Sequence, residues 1–276
     1  MTQQETPAEG SPPVYQVALP LSTKTLTLVA EVIRKHRREI GSRWRKLPDG
    51  KAALIVLAVL RHDQRLTDMA AGNAISASTV RRWVHEVIQG LARRAARLDR
   101  VLAKLAASGG ELVLIDGTLV RTRRRTGKAN RRNYSGKHKT HGLLFLGLTD
   151  TAGNLLWISA AKPGRSSDLT AARHNRITAK PRKAGLGAIC DLGFTALDDD
   201  PDNPVIITGR RAARNRPLTA AQKEANKLVS RERAANEHGF ADLKNWRILQ
   251  RLRMNARHGT ELLRALMVPT QAEITR

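Results

Sequence analysis

Along the first third of the chain, apolar residues recur with a helical period; after it they fall into short, nearly continuous runs. Residues 1–20 show no period and are polar, with Pro7, Pro12, Pro13 and Pro20, a composition that predicts disorder. From Ser22 to about Leu105 the pattern is helical. Leu26, Leu28, Val32 and Ile33 fall near helical spacing, and Ala52 to Leu60 reads as a buried helix. Leu66, Met69 and Ala70 then form a short amphipathic stretch leading to Gly72, a residue that tolerates the left-handed backbone of a tight turn. Another helix opens at Ser76 or Ser78, both good N-caps, and sets Val80, Trp83, Val84, Val87 and Ile88 on one face. Arg61 to Leu91 therefore has the layout of a helix-turn-helix.

Gly109-Gly110 marks a boundary beyond which the period changes. Glu111 to Ile115, Gly142 to Leu148 and Leu155 to Ala160 read as strands, the last two joined by a turn-rich link from Thr149 to Asn154. Asp168 to Ile177 reads as a helix, Leu186 to Cys190 and Val205 to Thr208 as strands, and Ala220 to about Leu252 as a long basic helix. That helix carries Phe240, Leu243, Trp246 and Leu249 on one side. The order predicts an α/β fold: a ribonuclease H-like mixed sheet flanked by helices over residues 109–276, preceded by an all-α helix-turn-helix domain over 21–108.

Charge adds a partner to this picture. Forty-nine Lys and Arg stand against 24 Asp and Glu, a net +25 that attracts a polyanion, usually nucleic acid. Three Phe, four Trp and two Tyr are few for gripping single strands by stacking, so double-stranded DNA is the expected partner. On the second helix of the helix-turn-helix, Ser78, Thr79, Arg81, Arg82 and His85 form the polar face that would enter a major groove; the plainer alternative is a helical hairpin with a solvated basic face. Arg121 to Lys139 holds nine Lys or Arg and no acid. Within it, Arg123, Arg124, Arg125, Arg131, Arg132, Lys137 and Lys139 are expected to hold phosphate; a solvated basic loop is the alternative. The lone Cys190 excludes an internal disulfide framework and any Cys-based zinc cluster. No signal-peptide layout is present, and the apolar run from Ala52 to Leu60 is too short for a membrane span. A soluble, cytoplasmic protein without membrane association is expected, nucleoid-associated if prokaryotic.

Asp116 ends one strand and is succeeded by Gly117-Thr118; Asp191 ends another and is succeeded by Leu192-Gly193-Phe194. Parallel strands put their carboxyl ends at one sheet edge, where α/β proteins build sites. Glu237 lies on the long helix between Arg233 and Lys244. Three carboxylates could thus converge on hard divalent cations, which prefer oxygen ligands. Each alone reads as a turn former or a solvated acid. Asp198 to Asp202 is the densest acidic run, and its Pro and Asn neighbours make it a surface turn. Asp168 opens a helix, where an N-cap or dipole role competes with an accessory role at the site.

Five stretches resemble one family. They are Leu-Ile-Asp116-Gly-Thr; Asn133-Tyr-Ser-Gly-Lys-His-Lys-Thr-His; Pro163-Gly-Arg-Ser-Ser-Asp168-Leu; Cys190-Asp191-Leu-Gly-Phe; and Ser230 through Glu237 to Leu249. In this order they are similar to the DDE transposases of the Harbinger and insertion-sequence-five group, over nearly the whole chain from about Leu19. Phe194 stands where members usually carry Tyr, and Ser167 where they often carry His; neither position supplies a triad ligand. The resemblance implies Asp116, Asp191 and Glu237 as catalytic metal ligands for Mg2+ or Mn2+, two ions in all. It implies cleavage at transposon ends and strand transfer, by a homo-oligomer on DNA. Two rivals are a catalytically inactive transposase-derived DNA-binding protein and a basic RNA-associated protein.

Overall fold

The computed structural model describes residues 18–43, 46–123, 128–198, 200, 202–213, 217–253 and 256–274, with the backbone alone at 128, 129, 235–237 and 256. Most of the expected N-terminal disorder (residues 1–17), Arg124, Arg125, Asp199 and the Glu237 side chain lie outside the described part.

Ser22 caps helix α1 (Thr23–Glu39), its hydroxyl accepting from the Thr25 amide at 3.3 Å. Helix α2 (Asp49–His62) is buried along most of its length, as its apolar run requires. Helices α3 (Leu66–Ala71) and α4 (Ala77–Ala92) follow, with Ser76 capping α4 by accepting from Thr79 N at 3.2 Å. The turn between them differs from expectation. Gly72 keeps a right-handed φ of −65°, and Ala74 takes the left-handed position at φ 50°. The reason is where the helix closes: Gly72 N still donates to Asp68 O, and Ile75 N closes on Ala70 O at 3.1 Å. A closure of that kind needs its left-handed residue just before the donor. Helix α5 (Leu98–Ala107) completes the helical region.

Strands β1 (Leu112–Arg121), β2 (Tyr134–Ser135), β3 (Thr140–Thr149), β4 (Leu155–Ile158), β5 (Lys162–Pro163), β6 (Gly187–Cys190) and β7 (Ile206–Ile207) form one mixed sheet in the order β2-β3-β1-β6-β7. Strands β4 and β5 also pair with β3. Strand β3 runs antiparallel to β1, whereas β6 and β7 run parallel to it. Helices α6 (Asp168–Asn175), α7 (Ala179–Ala184), α8 (Ala220–Lys244) and α9 (Gly259–Ile274) flank it. This is the ribonuclease H-like order of strands and crossovers, reached by a chain that is α/β throughout its second part. The near-continuous apolar run of β3 follows from burial on both faces. Leu143 and Phe145 join one core with α8, α9 and the helices α1 to α4; Leu144, Leu146 and Leu148 join another with α5, α6 and α7.

Two expectations are corrected, and one helix is added. Strand β1 passes through Asp116 rather than ending there, pairing it with Gly147 of β3. The long helix stops at Lys244 and not near Leu252. Trp246 turns the chain inward, 1% exposed, so that its indole N–H donates to Thr270 Oγ1 at 2.9 Å. Helix α9 lies beyond the last element read from the sequence and contains Pro269, which costs it a backbone hydrogen bond. Its buried Leu262, Leu263, Leu266 and Met267 nonetheless hold it against α4, α1 and β4. Among the described residues no helix is long and apolar enough to cross a membrane.

Candidate metal centre and nucleic-acid interface

The parallel pairing of β1 with β6 ends at Ile115↔Cys190. The next residue on each strand is an aspartate, so Asp116 and Asp191 leave the same sheet edge side by side. Asp116 Oδ1 accepts from Gly117 N at 2.8 Å, and Asp191 Oδ1 from Gly193 N at 2.7 Å. The second contact caps the short 3-10 turn Leu192–Phe194. Asp168, at the start of α6, joins them. It is not the N-cap of that helix: Ser167 is, accepting from Thr170 N at 3.1 Å.

Charge in this group is poorly compensated. Burial raises the Asp116 pKa above the ordinary carboxylate value; Gly117 N and Arg233 oppose the shift, and Asp191 and Asp168 add to it. Burial likewise raises Asp168, with Lys137 opposing and Asp191 adding. The cations stand at the limit of ion pairing: Arg233 Nη2 is 3.9 Å from Asp116 Oδ1, and Lys137 Nζ 3.9 Å from Asp168 Oδ2. Arg233 Nε is buried and has no hydrogen-bond partner among the described residues. Among the described residues no three Asp, Glu, His or Cys side chains already enclose a point where a metal ion would sit. Partly buried carboxylates gathered at one point, two of them with pKa values raised by burial first and then by neighbouring acids, match what a hard dication stabilises, so the donor set fits one.

Glu237 belongs to this neighbourhood through its backbone. It lies on α8 one turn after Arg233 and one turn before Phe240, whose ring packs on Gly147, the register partner of Asp116. A Cβ at 147 would stand 2.8 Å from Phe240 Cε1, and one at Gly239 would stand 2.7 Å from Gly153 O. The two glycines let α8 lie close on β3.

The basic segment splits. Lys137 reaches Asp168, while Arg131, Arg132 and Lys139 are exposed on the same loop and Arg123 is exposed after β1. On α4, Ser78, Arg81, Arg82 and His85 are exposed and Thr79 half-buried. Arg82 pairs with Glu86 at 3.7 Å. The ring of His85 meets that of His258 at 6.0 Å, so this face borders the α9 end of the molecule. Arg43, Lys46, Ser76, Thr79, Arg82 and others line a concavity of about 430 Å3 beside the start of α4. Sequence reasoning missed the Lys137 and Arg233 contacts. The signal was the spacing of Arg233 four residues before Glu237, which puts both on one helix face.

A ribonuclease H-like sheet with aspartates leaving adjacent parallel strands defines the class of nuclease-like proteins. A family model described as DDE superfamily endonuclease matches residues 115–268, more than half of the chain, and the chain belongs to that family. Members generally use divalent metal ions. No curated protein matches the sequence. A chain from the crystal structure of a pre-cleavage Mos1 transpososome is similar at 12% identity over 91% of this chain and 95% of that one, with a TM-score of 0.17. That overlap is too loose to carry an argument.

Proposed function

We propose that the protein is a transposase, cutting DNA at the ends of its element and joining the freed 3′-hydroxyl to target DNA. The observation that carries the reading is the pair Asp116 and Asp191, side by side just past the last parallel pairing of β1 with β6, with Arg233 of α8 drawn to the first. Asp116, Asp191 and Glu237 serve as the ligands of two divalent ions, Mg2+ or Mn2+. Bound there, such ions activate the attacking oxygen and stabilise the leaving one. The chain's own groups do the rest. Arg233 and Lys137 supply positive charge where a scissile phosphate would lie, and the exposed Arg131, Arg132 and Lys139 hold the flanking backbone. The test is nicking of duplex DNA carrying the element's end by the purified full chain in Mg2+, with Asp116→Asn beside it. Equal nicking by both would overturn the reading.

Helices α3 and α4 serve as the end-reading helix-turn-helix in this proposal, supported by the exposed polar face of α4. Arg81 and Arg82 are not equivalent there. Arg82 must leave Glu86 to reach a base, and Arg81 has no ion-pair partner among the described residues. Arg81→Ala is expected to lose about 1–3 kcal/mol of preference for end DNA over random DNA, and Arg82→Ala less. Competition binding on the two DNAs checks it; equal losses on both would make these phosphate contacts.

A further inference from the structure

Asp168 comes to the site from the face of the sheet opposite α8. Val120 of β1 belongs to the core shared with α8, while Val113 and Ile115 belong to the core shared with α6. Side chains alternate along a strand, so Asp116 lies on the α8 face and Gly117 on the α6 face. Position 117 is where Asp168 enters. A Cβ there would stand 2.9 Å from Asp168 Cγ and closer still to its Oδ1. A Cβ at Gly193 would stand 3.2 Å from Asp168 Oδ2 and 2.8 Å from Asp191 Oδ1. Two glycines, one within β1 and one in the turn after β6, thus leave the space that one carboxylate fills, and the second also lies close to Asp191. β6 stops at Cys190 while β1 continues, so the β6-side edge of β1 is open at Asp116 and Gly117. Such a gap lets carboxylates from the two faces approach one another.

We propose that Asp168 is a further metal ligand of this centre, reaching the ion nearer Asp191 through the cradle of Gly117 and Gly193. The inference rests on the metal-dependent reading above. Lys137 is the stand-in cation that Asp168 holds until a dication arrives, and its release then frees it for phosphate.

The test titrates Mn2+ into the full chain without DNA, following free Mn2+ by electron paramagnetic resonance, with circular dichroism to verify folding. Asp168→Asn is expected to weaken one bound ion by about tenfold or more, as loss of a group that holds a metal centre does. Gly117→Ala keeps every charge and displaces only the Asp168 carboxylate, a flexible group that can swing away, so it is expected to weaken the same ion. Parent-like binding by Asp168→Asn, while Asp116→Asn is impaired, would overturn the inference and leave the metal reading standing. Weakening by Asp168→Asn with parent-like binding by Gly117→Ala would reduce Asp168 to a distant charge and overturn it too. A parent chain that binds no Mn2+ would remove both readings together.

Discussion

The molecule gathers acids in two places and treats them in opposite ways. Asp198, in the acidic run before β7, is satisfied by the protein itself. Its Oδ2 accepts from Val205 N at 2.7 Å and Ile206 N at 3.2 Å, and its Oδ1 pairs with Arg182 Nη2 at 3.0 Å. Burial alone would raise its pKa, but the two amides and Arg182 outweigh burial and hold it below the ordinary carboxylate value. Asp116 has one amide from its own neighbour and a cation 3.9 Å away, and its pKa is raised. A carboxylate that completes a fold is given its partners by the fold. One kept for a ligand is left under-compensated until the ligand comes.

The largest effect expected from this contrast is on activity. Asp116→Asn, Asp191→Asn and Glu237→Gln should each lower end nicking by several orders of magnitude, since an amide keeps the shape but loses the charge that holds a dication. Binding of end DNA, measured in Ca2+, should hold or tighten as repulsion of phosphate falls. Near-parental nicking by one variant would remove that residue from the ligand set. Asp198→Asn should leave the rate per folded molecule within a few-fold.

Stability should reverse the ranking. Asp198→Asn replaces an acceptor-only group facing two amides and a guanidinium, and is expected to cost about 1–3 kcal/mol. That corresponds to a fall in melting temperature of roughly 2–4 °C per kcal/mol for a chain of this size. Asp116→Asn should instead raise the melting temperature of the metal-free protein at neutral pH, because it removes a buried charge repelled by Asp191 and Asp168. A drop for Asp116→Asn equal to that for Asp198→Asn would erase the distinction between the two clusters.

Both clusters were visible in the sequence as acids, but not the difference between them. Asp116 and Asp191 were legible because each ends or interrupts an apolar run before a glycine, a pattern local enough to read. The satisfied state of Asp198 was not, because its partners are Arg182 on α7 and two amides of the β7 segment, set by packing rather than by neighbours in the chain. The acidic run therefore reads as a solvated turn although one of its members pins β7. The same limit applies to Asp168, whose place depends on two glycines at positions 117 and 193, and to α9, whose Pro269 masks an otherwise regular apolar face. Strands β1, β3, β4, β6 and β7 were legible because their apolar runs and the turns between them are local; the short β2 and β5 were not, and the extent of β1 beyond Asp116 was set by its long antiparallel partner β3.

The smallest and most discriminating effect is in how these stabilities respond to pH without metal. For Asp198 the folded pKa lies below the unfolded one, so its contribution is complete above the unfolded pKa and is lost as pH falls through the folded pKa. The deficit of Asp198→Asn against the parent should therefore be full at neutral pH and shrink on acidification. Asp116 is shifted the other way: its folded pKa is raised, so the stability linked to its protonation is present below the unfolded pKa and lost as pH rises through the folded one. The gain of Asp116→Asn over the parent should likewise be full at neutral pH and vanish at low pH, but with the opposite sign and at a higher pH than the Asp198 deficit. Comparing each variant with the parent at the same pH cancels the general repulsion of a chain carrying +25. Adding Mn2+ at neutral pH should then invert the Asp116 difference alone, because the parent gains binding free energy that the variant lacks. Melting curves of the three proteins across the acid range, with and without Mn2+, measure all of this. If both differences collapsed over the same pH interval, or Mn2+ moved the Asp198 variant relative to the parent, the two groups of acids would be of one kind.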